Sequence, residues 1–235
     1  MTIRQFLKRI KIKIKDILYI LGYGRNKQVL VYLGLNEGVG FSTLFRNYKM
    51  CYAFEADPNL CLKLKKRFKK YKGVQIINAA VAKDDGEIQF NISNNNGLSS
   101  SIGIFKEDWN AIAKIEMIKT ITIPSINLYN FLQKRNVNYI DDYVSDIQGY
   151  DLAVLKTLEP MIKGKKINTI TAEVTKDKHK NIYENLPDNN LSGFSKLLNK
   201  NYTLAATGEG ILIKGVFNDV PKDWWEMDCM WMSKK

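Results

Sequence analysis

The chain has 235 residues, 45% hydrophobic and 26% charged, which is the composition of a globular protein large enough to bury a full core. No apolar run is long enough to span a bilayer, and the N-terminus has neither the apolar centre nor the cleavage site of a secretory signal. The three cysteines, Cys51, Cys61 and Cys229, lack the paired spacing of a metal site, and the single histidine, His179, excludes mechanisms that need two imidazoles. We therefore expect a cytoplasmic protein with unlinked thiols.

The formal net charge of +12 is concentrated in two short stretches of the chain. Residues 1–15 carry six basic side chains and residues 63–72 carry seven, with no acid in either stretch. The remaining 23 basic residues are matched by 24 acidic ones, so the rest of the chain is close to neutral. The charge is thus a local feature, and it has to be interpreted where it lies.

The first 25 residues differ in composition from the rest of the chain. Their apolar residues recur at helical spacing, which predicts an amphipathic, basic helix over residues 3–21. Such a helix can lie on an anionic membrane surface or pack against the rest of the protein, and the alternation over residues 10–14 also allows a short strand. We assign residues 1–25 to this appendage and residues 26–235 to a single domain.

From residue 26 onward, short β-branched runs alternate with helical ones, a pattern that predicts a parallel α/β sheet. In the first half, we predict strands at 29–33, 51–55, 74–79, 87–92 and 120–123, and helices near 41–48, from Asp57 and Pro58 onward, and at 127–135. In the second half, we predict strands at 139–144, 167–174, 202–206 and 211–213, helices at 150–158 and 191–199, and an alternating segment at 225–232.

A glycine-rich turn follows the first predicted strand of the domain. This strand ends in Gly34, Gly38 and Gly40 and leads into a helix, which lets the backbone approach a nucleotide-like ligand. Glu55 ends the next strand, where a carboxylate can accept both hydroxyls of a ribose. A dehydrogenase turn must cradle a pyrophosphate and has a third glycine where Thr43 stands, so the spacing favours S-adenosylmethionine, which has no phosphate.

A second set of polar residues follows the strand at 139–144, where Asp146 comes at the carboxyl edge and Gly149 relaxes the turn into a helix. Together with the stretches 34–38, 55–58 and 78–81, this order resembles the FkbM-type family of S-adenosylmethionine-dependent methyltransferases over roughly residues 28–235. The resemblance implies a Rossmann-like class I methyltransferase fold of the α/β class. Its central sheet would be mostly parallel, with helices on both faces and an antiparallel C-terminal strand.

The resemblance also implies a role for each matching position. Glu55 would bind the ribose, and Asp146 would face the methionine end of the cofactor and the incoming substrate. The turn under the methionine part would comprise Gly34, Asn36 and Gly38. Asp57 and Asn78 would lie near the adenine, and Ala79 and Ala80 would line its slot. The polar loop 97–101 matches a segment that covers the active site in such proteins, and Glu173 matches an acidic position at the next strand end.

The chain departs from the family pattern at two positions. Tyr32 stands where the family has an acid that holds the cofactor's ammonium, so Asp146 or another group would have to replace it. Gln148 stands where many members have Glu, which keeps an acceptor and drops a charge. Because this acid is missing at position 32, a second interpretation stays open: a degenerate, non-catalytic protein that serves as an interaction module.

The candidate catalytic bases are Asp146 and Glu173, because a strand-end acid can reach a substrate hydroxyl, although such acids also cap helices. His179, flanked by lysines, is a third candidate base or a solvated surface residue. Two carboxylates could also ligate a divalent cation, which the pattern does not predict.

We expect O-methylation of a small molecule or glycan, with an RNA or other nucleic-acid methyltransferase as the alternative. The sequence has no Asp- or Asn-Pro-Pro-aromatic run that holds a flipped base, so a nucleic-acid partner is not expected. The tryptophans near the C-terminus, Trp224, Trp225 and Trp231, could pack within the sheet or form a surface on which a sugar ring stacks. Nothing in the sequence indicates the oligomeric state.

Overall fold

The computed structural model describes residues 3–107, 109, 114–179, 181–210 and 225–235. The predicted strand at 211–213 and Trp224 lie outside the described residues. The strands in chain order are β1 (Lys27–Leu33), β2 (Tyr48–Glu55), β3 (Val74–Asn78), β4 (Ala80–Ala82), β5 (Gly86–Ser93), β6 (Ile104–Phe105), β7 (Met117–Asn127), β8 (Ile140–Ser145), β9 (Ile167–Thr175), β10 (Tyr183–Glu184), β11 (Tyr202–Gly208) and β12 (Glu226–Ser233). The α-helices are α1 (Ile3–Ile20), α2 (Val39–Leu44), α3 (Pro58–Phe68), α4 (Leu128–Gln133), α5 (Asp151–Thr157), α6 (Glu159–Lys163) and α7 (Leu191–Leu198).

Seven strands form the central sheet in the order β11-β12-β9-β8-β1-β2-β3. The pairs β9–β8, β8–β1, β1–β2 and β2–β3 are parallel, and β12 runs antiparallel between β9 and β11. This arrangement confirms the predicted Rossmann-like class I methyltransferase fold with its antiparallel C-terminal strand. The order reverses at β1, whose two neighbours are β2 and β8, so a switch point opens between their carboxyl ends.

Hydrophobic side chains cover the sheet on both faces. One core contains residues of α4, α5, α6 and α7, such as Phe131, Leu155 and Phe194. The other contains residues of α2 and α3, such as Phe41 and Phe68. Because both faces are covered, the central strands are apolar runs rather than alternating ones, which is why they could be recognised in the sequence.

A smaller three-stranded sheet, in the order β4-β7-β5, lies beside the central one, and β6 pairs with β10. The predicted strands at 87–92 and 120–123 are the paired strands β5 and β7, which are antiparallel. The short strands β4, β6 and β10 were not predicted from the sequence, because two or three residues carry no periodic signal.

Two predicted helices are shorter than the pattern indicated. The helix predicted near 41–48 ends at Leu44 and is followed by a 3-10 turn, Phe45–Asn47, because β2 begins at Tyr48. The helix predicted at 150–158 ends at Thr157, and α6 restarts at Glu159 with Pro160 in its first turn. Proline fits the first turn of a helix but breaks the hydrogen-bond ladder of a helix interior.

The N-terminal segment is helical, so the strand alternative for residues 10–14 is wrong. Helix α1 is fixed to the domain near its C-terminal end, where Tyr19 packs edge-to-face against Phe45 and Tyr71. Asp16 accepts hydrogen bonds from Arg46 and Lys70 at the same place. Among the described residues, no helix combines the length and the hydropathy that crossing a bilayer requires.

Candidate functional site

The main cavity lies at the switch point of the central sheet, and the space between its walls and at its open mouth together amounts to about 740 Å³. Its walls come from the ends of β1, β2 and β8, from the start of α3 and from the polar loop after β5. Of the predicted site residues, seven line it: Gly34, Asn36, Glu55, Asp57, Ala79, Ala80 and Asp146. Three others, Gly38, Asn78 and Glu173, lie outside the lining.

Gly34 allows the loop after β1 to pass directly against the loop after β8. It has a φ of +75°, and a β-carbon at this position would lie 1.8 Å from the carbonyl oxygen of Asp146. The Gly34 amide donates to the Phe54 carbonyl (3.1 Å), and the Asp146 amide donates to the Leu33 carbonyl (3.2 Å). The glycine is thus required by the packing of three strand ends, and this packing forms the floor of the cavity.

Glu55 is buried at the end of β2, and its carboxylate is fixed by the backbone. Oε2 accepts from the Asn36 amide (2.7 Å) and Oε1 accepts from the Asp57 amide (2.8 Å). Asn36 adopts a left-handed φ of +48° to present its N–H in this way. Burial raises the pKa of Glu55 to about 7, while the two N–H donors oppose that shift. Each carboxylate oxygen keeps a further lone pair for a ligand hydroxyl.

The adjoining slot is apolar and is shaped by the start of α3. Asp57 is the N-cap of α3, as predicted, and its Oδ1 accepts from the Asn59 and Leu60 amides (2.7 and 3.2 Å). Asn78 donates from Nδ2 to the carbonyls of Glu55 and Ala56 (2.9 and 3.0 Å). Asn78 therefore holds the backbone that carries Glu55 rather than lining the slot. Buried Ala79 and Ala80, with Phe90, form the slot wall.

Gly38 has a structural role in the packing of two helices behind the cavity. It is the N-cap of α2 with a φ of +70°, and a β-carbon there would lie 2.7 Å from Leu64 Cδ2 of α3. Its small size lets α2 and α3 approach each other closely.

The polar loop after β5 covers one side of the cavity, with Gly97, Leu98 and Ser100 in its lining. Internal hydrogen bonds stiffen this loop, such as that from Asn95 Nδ2 to Ser99 Oγ (2.9 Å). Ser101 Oγ donates to the Gln148 carbonyl (2.8 Å) and so ties the loop to the opposite wall.

Gln148 joins the two candidate catalytic acids. Its Nε2 donates to Asp146 Oδ1 and to Glu173 Oε2, both at 2.8 Å, and its Oε1 accepts from the Tyr183 hydroxyl at 2.8 Å. Gly149 is needed beside it, since a β-carbon there would lie 2.7 Å from the Tyr183 ring. The amide thus supplies donors to two carboxylates that a glutamate at this position could not supply.

Carboxyl groups crowd this end of the cavity. Burial, and then the charges of Asp146 and Glu226, hold the pKa of Glu173 well above its ordinary value. The protein packed around Asp146 removes part of its hydration and so raises its pKa, while one side of the residue stays exposed. The pKa of Glu226 is raised to about 8 and that of Asp151 to about 7, again mainly by burial. A cation at this end would favour ionisation of the whole cluster.

Tyr32 occupies the position of the missing family acid. Its ring packs edge-to-face on Phe41, and burial followed by the charges of Asp146 and Asp228 raises its pKa, so the phenol stays protonated. Tyr32 is not part of the cavity lining, whereas Asp146 is. Asp146 is therefore the acid that the cavity offers to a cationic group at this end.

His179 lies in a separate depression lined by Lys106, Trp109 and Trp225, and its ring stacks on Trp225 with centroids 4.5 Å apart. Burial and then the nearby lysines lower its pKa. It does not line the main cavity. Trp231 is fully buried and stacks on Phe194 of α7, which is sheet packing.

Sequence reasoning missed Tyr183 and Glu226 at the acidic end of the cavity. Tyr183 lies in the two-residue strand β10, and Glu226 begins β12, so neither belongs to a motif that could have indicated it. Within the described part of the chain, no group of three or more His, Cys, Asp or Glu side chains is arranged to hold a metal ion.

A family model for the methyltransferase FkbM domain matches residues 33–196 of the chain. No curated protein sequence matches the chain. Similar solved structures include an rRNA methylase from Streptococcus thermophilus, with 8% identity, a TM-score of 0.46 and coverage of 94% of each chain. An N-methyltransferase from Bradyrhizobium japonicum has 8% identity and a TM-score of 0.44, with 97% of each chain covered. Fibrillarin from Aeropyrum pernix, bound to S-adenosylmethionine, has 10% identity and a TM-score of 0.45, with coverage of 92% of this chain and 74% of that one.

Proposed function

The chain belongs to the FkbM family of S-adenosylmethionine-dependent methyltransferases, and we propose that it methylates a hydroxyl group of a small molecule or glycan. The observation that carries this proposal is the cavity at the switch point, which has an anchored carboxylate at each end, Glu55 and Asp146. The three buried cysteines are unlinked, which supports a location in the reducing cytoplasm.

The residues of the cavity fit the methyl donor. Glu55 offers two fixed oxygens to a vicinal diol, the slot at Ala79 and Ala80 offers an apolar wall to a flat ring, and Asp146 offers negative charge to a cationic end. S-adenosylmethionine combines a ribose diol, an adenine ring and a cationic sulfonium with its ammonium.

The two candidate acids take different parts in the proposed reaction. When bound, S-adenosylmethionine supplies a methyl group activated by its sulfonium. Asp146 is the proposed base for the acceptor hydroxyl, because it is the member of the pair that lines the cavity. Glu173 is the proposed positioning residue, because it lies outside the cavity lining and is joined to Asp146 through the Gln148 amide. Gln148 fixes the orientation of both carboxyl groups.

An RNA acceptor is the second candidate, and the exposed basic residues of α3 favour it, since this helix begins at the cavity wall. One cation of α3 and one just beyond its C-terminal end already have structural partners. Arg67 donates to the Glu37 carbonyl and to Ser42 Oγ, and the neighbouring Lys70 binds Asp16. The basic face is therefore partly used within the fold, which favours the small-molecule or glycan acceptor.

Titration with S-adenosylhomocysteine tests the cofactor part of the proposal. We expect Glu55→Gln to weaken binding by roughly 10- to 100-fold, because charge-assisted hydrogen bonds are worth about 1.5–3 kcal/mol. Glu87→Gln is the matched control, since Glu87 is exposed on β5 outside the cavity. Absence of binding heat from the wild type would support the degenerate, non-catalytic alternative. Equal affinities of the two variants would remove Glu55 from the site.

Methyl transfer from labelled S-adenosylmethionine to pools of glycans, small hydroxylated molecules, RNA and DNA tests the acceptor. We expect label in the glycan or small-molecule pools and strongly reduced transfer by Asp146→Asn at unchanged melting temperature. Transfer confined to RNA or DNA would overturn the proposed acceptor class. Wild-type rates in Asp146→Asn would exclude Asp146 as the base.

A further inference from the structure

Helix α1 presents an apolar stripe to solvent. The stripe consists of Leu7, Ile10, Ile14, Ile17 and Leu18 and continues into Leu21 directly after the helix, and these side chains are between 38% and 65% exposed. Their spacing of three and four residues places them on one side of the helix. Of the 17 large hydrophobic residues that are exposed in the described part of the chain, nine lie within residues 7–23. A contiguous apolar surface of this kind indicates an interaction site.

The opposite side of the same helix attaches it to the domain. Among the α1 side chains that the structure describes, those of Asp16 and Tyr19 are buried, and Arg25 lies over the Tyr19 ring at 4.2 Å. At about 100° per residue, these two positions fall on the side away from Ile14 and Ile17. The attachment therefore fixes the helix with its apolar stripe facing outward, so the helix does not use that stripe to pack on the domain.

The charges of the helix are arranged around the apolar stripe. Lys11 and Lys13 are exposed and lie on its two flanks, and exposed Lys15 follows on one side. The one acid of α1, Asp16, is already bound to Arg46 and Lys70. An apolar stripe between cations is the pattern of helices that lie in the plane of an anionic bilayer surface.

We propose that α1 anchors the protein to membranes that contain anionic lipids, with the apolar stripe inserted between headgroups and the lysines bound to lipid phosphates. The occupant is a lipid surface rather than a second copy of the chain. Two copies joined through the stripe would bring their lysines together, and the acid on the helix is already occupied. The anchor does not depend on which acceptor the enzyme methylates.

Flotation of the full chain with lipid vesicles tests the anchor. One set of vesicles contains phosphatidylcholine alone, and the other contains about one-third phosphatidylglycerol. We expect binding to the anionic vesicles and not to the neutral ones. Changing Lys11, Lys13 and Lys15 together to Gln should weaken binding by on the order of 100-fold, since each lysine near such a surface contributes about 1 kcal/mol.

A matched pair of variants tests the apolar stripe. Ile14→Glu places a charge in the stripe and should weaken vesicle binding by roughly 10- to 100-fold. Ile12→Glu makes the same change two residues away, at a position that is 43% exposed but outside the stripe, and should bind much more tightly than Ile14→Glu. Because Ile12 lies on the side of α1 that carries Asp16 and Tyr19, melting temperatures equal to that of the wild type are the check that α1 stays attached to the domain in both variants.

Three results would overturn the proposal. The first is equal vesicle binding by Ile12→Glu and Ile14→Glu. The second is equal binding to neutral and anionic vesicles, or binding to neither. The third is a wild-type dimer in sedimentation analysis that Ile14→Glu dissociates while vesicle binding is absent, which would assign the stripe to a second copy of the chain.

Discussion

Substitution of Gly34 by alanine measures how strongly the cavity floor depends on close backbone packing. The left-handed φ of +75° costs alanine about 1 kcal/mol relative to glycine. The new β-carbon would lie 1.8 Å from the Asp146 carbonyl oxygen and 2.9 Å from its carbon, so the loop after β8 has to move. Overpacking of this kind costs a further ~1–3 kcal/mol. We therefore expect Gly34→Ala to lower the free energy of unfolding by about 2–4 kcal/mol.

Gly24→Ala is the control that separates strain from contact. Gly24 has almost the same φ, +76°, but a β-carbon there would meet nothing within 4 Å. Urea unfolding should give a loss of about 1 kcal/mol for Gly24→Ala and a clearly larger loss for Gly34→Ala. Titration with S-adenosylhomocysteine should show weaker binding only for Gly34→Ala, because Asp146 moves with the loop. Equal unfolding losses in the two variants would refute the packing argument.

Two further predictions concern the acids of the cavity. Because burial raises the pKa of Glu55 from 4.5 to about 7, the folded chain retains a proton that the unfolded chain releases. The stability of the ligand-free protein should therefore fall as pH rises from about 4.5 to 7, by on the order of 3 kcal/mol from this residue, and less steeply in Glu55→Gln. Parallel melting-temperature profiles of the two proteins would contradict this. Gln148→Glu replaces a shared donor by a third carboxylate, so it should lower kcat by about tenfold or more. It should also move the acidic limb of the pH–rate profile, which reports ionisation of the proposed base Asp146, to higher pH. An unchanged profile would contradict the proposed role of Gln148.

The parts of the fold that sequence reasoning predicted are those with strong local signals. The strands β1, β2 and β9 are apolar runs because helices cover both faces of the sheet. The start of α3 was predicted because Asp57 and Pro58 are a local N-cap and first turn, and the structure has both. The short strands form only because distant segments pair, and the start of α6 depends on a single proline. Neither signal is strong enough to predict the boundaries of these elements from the sequence.

The site was predicted less completely, because its polar contacts cross between distant segments. The sequence indicated that acids would follow β2 and β8, since parallel strands end at one edge of a sheet. It could not indicate that the Gln148 amide would join Asp146 to Glu173, or that Tyr183 would donate to that amide. Nor could it separate Gly34, which lines the cavity, from Gly38, which packs on α3. Both glycines have positive φ, and only the surroundings distinguish them.

The proposed membrane anchor and the cavity lie at opposite ends of the strands of the central sheet. Tyr19 packs on Phe45 and Tyr71, which precede β2 and β3, whereas the cavity lies where β1, β2 and β8 end. A strand of eight residues such as β2 separates the two edges by on the order of 25 Å. Substitution at one edge should therefore leave the other intact. Ile14→Glu should lose vesicle binding and keep the wild-type affinity for S-adenosylhomocysteine, and Glu55→Gln should do the reverse. Joint loss of both properties in either variant would contradict this separation and mean that α1 and the cavity are coupled through the fold.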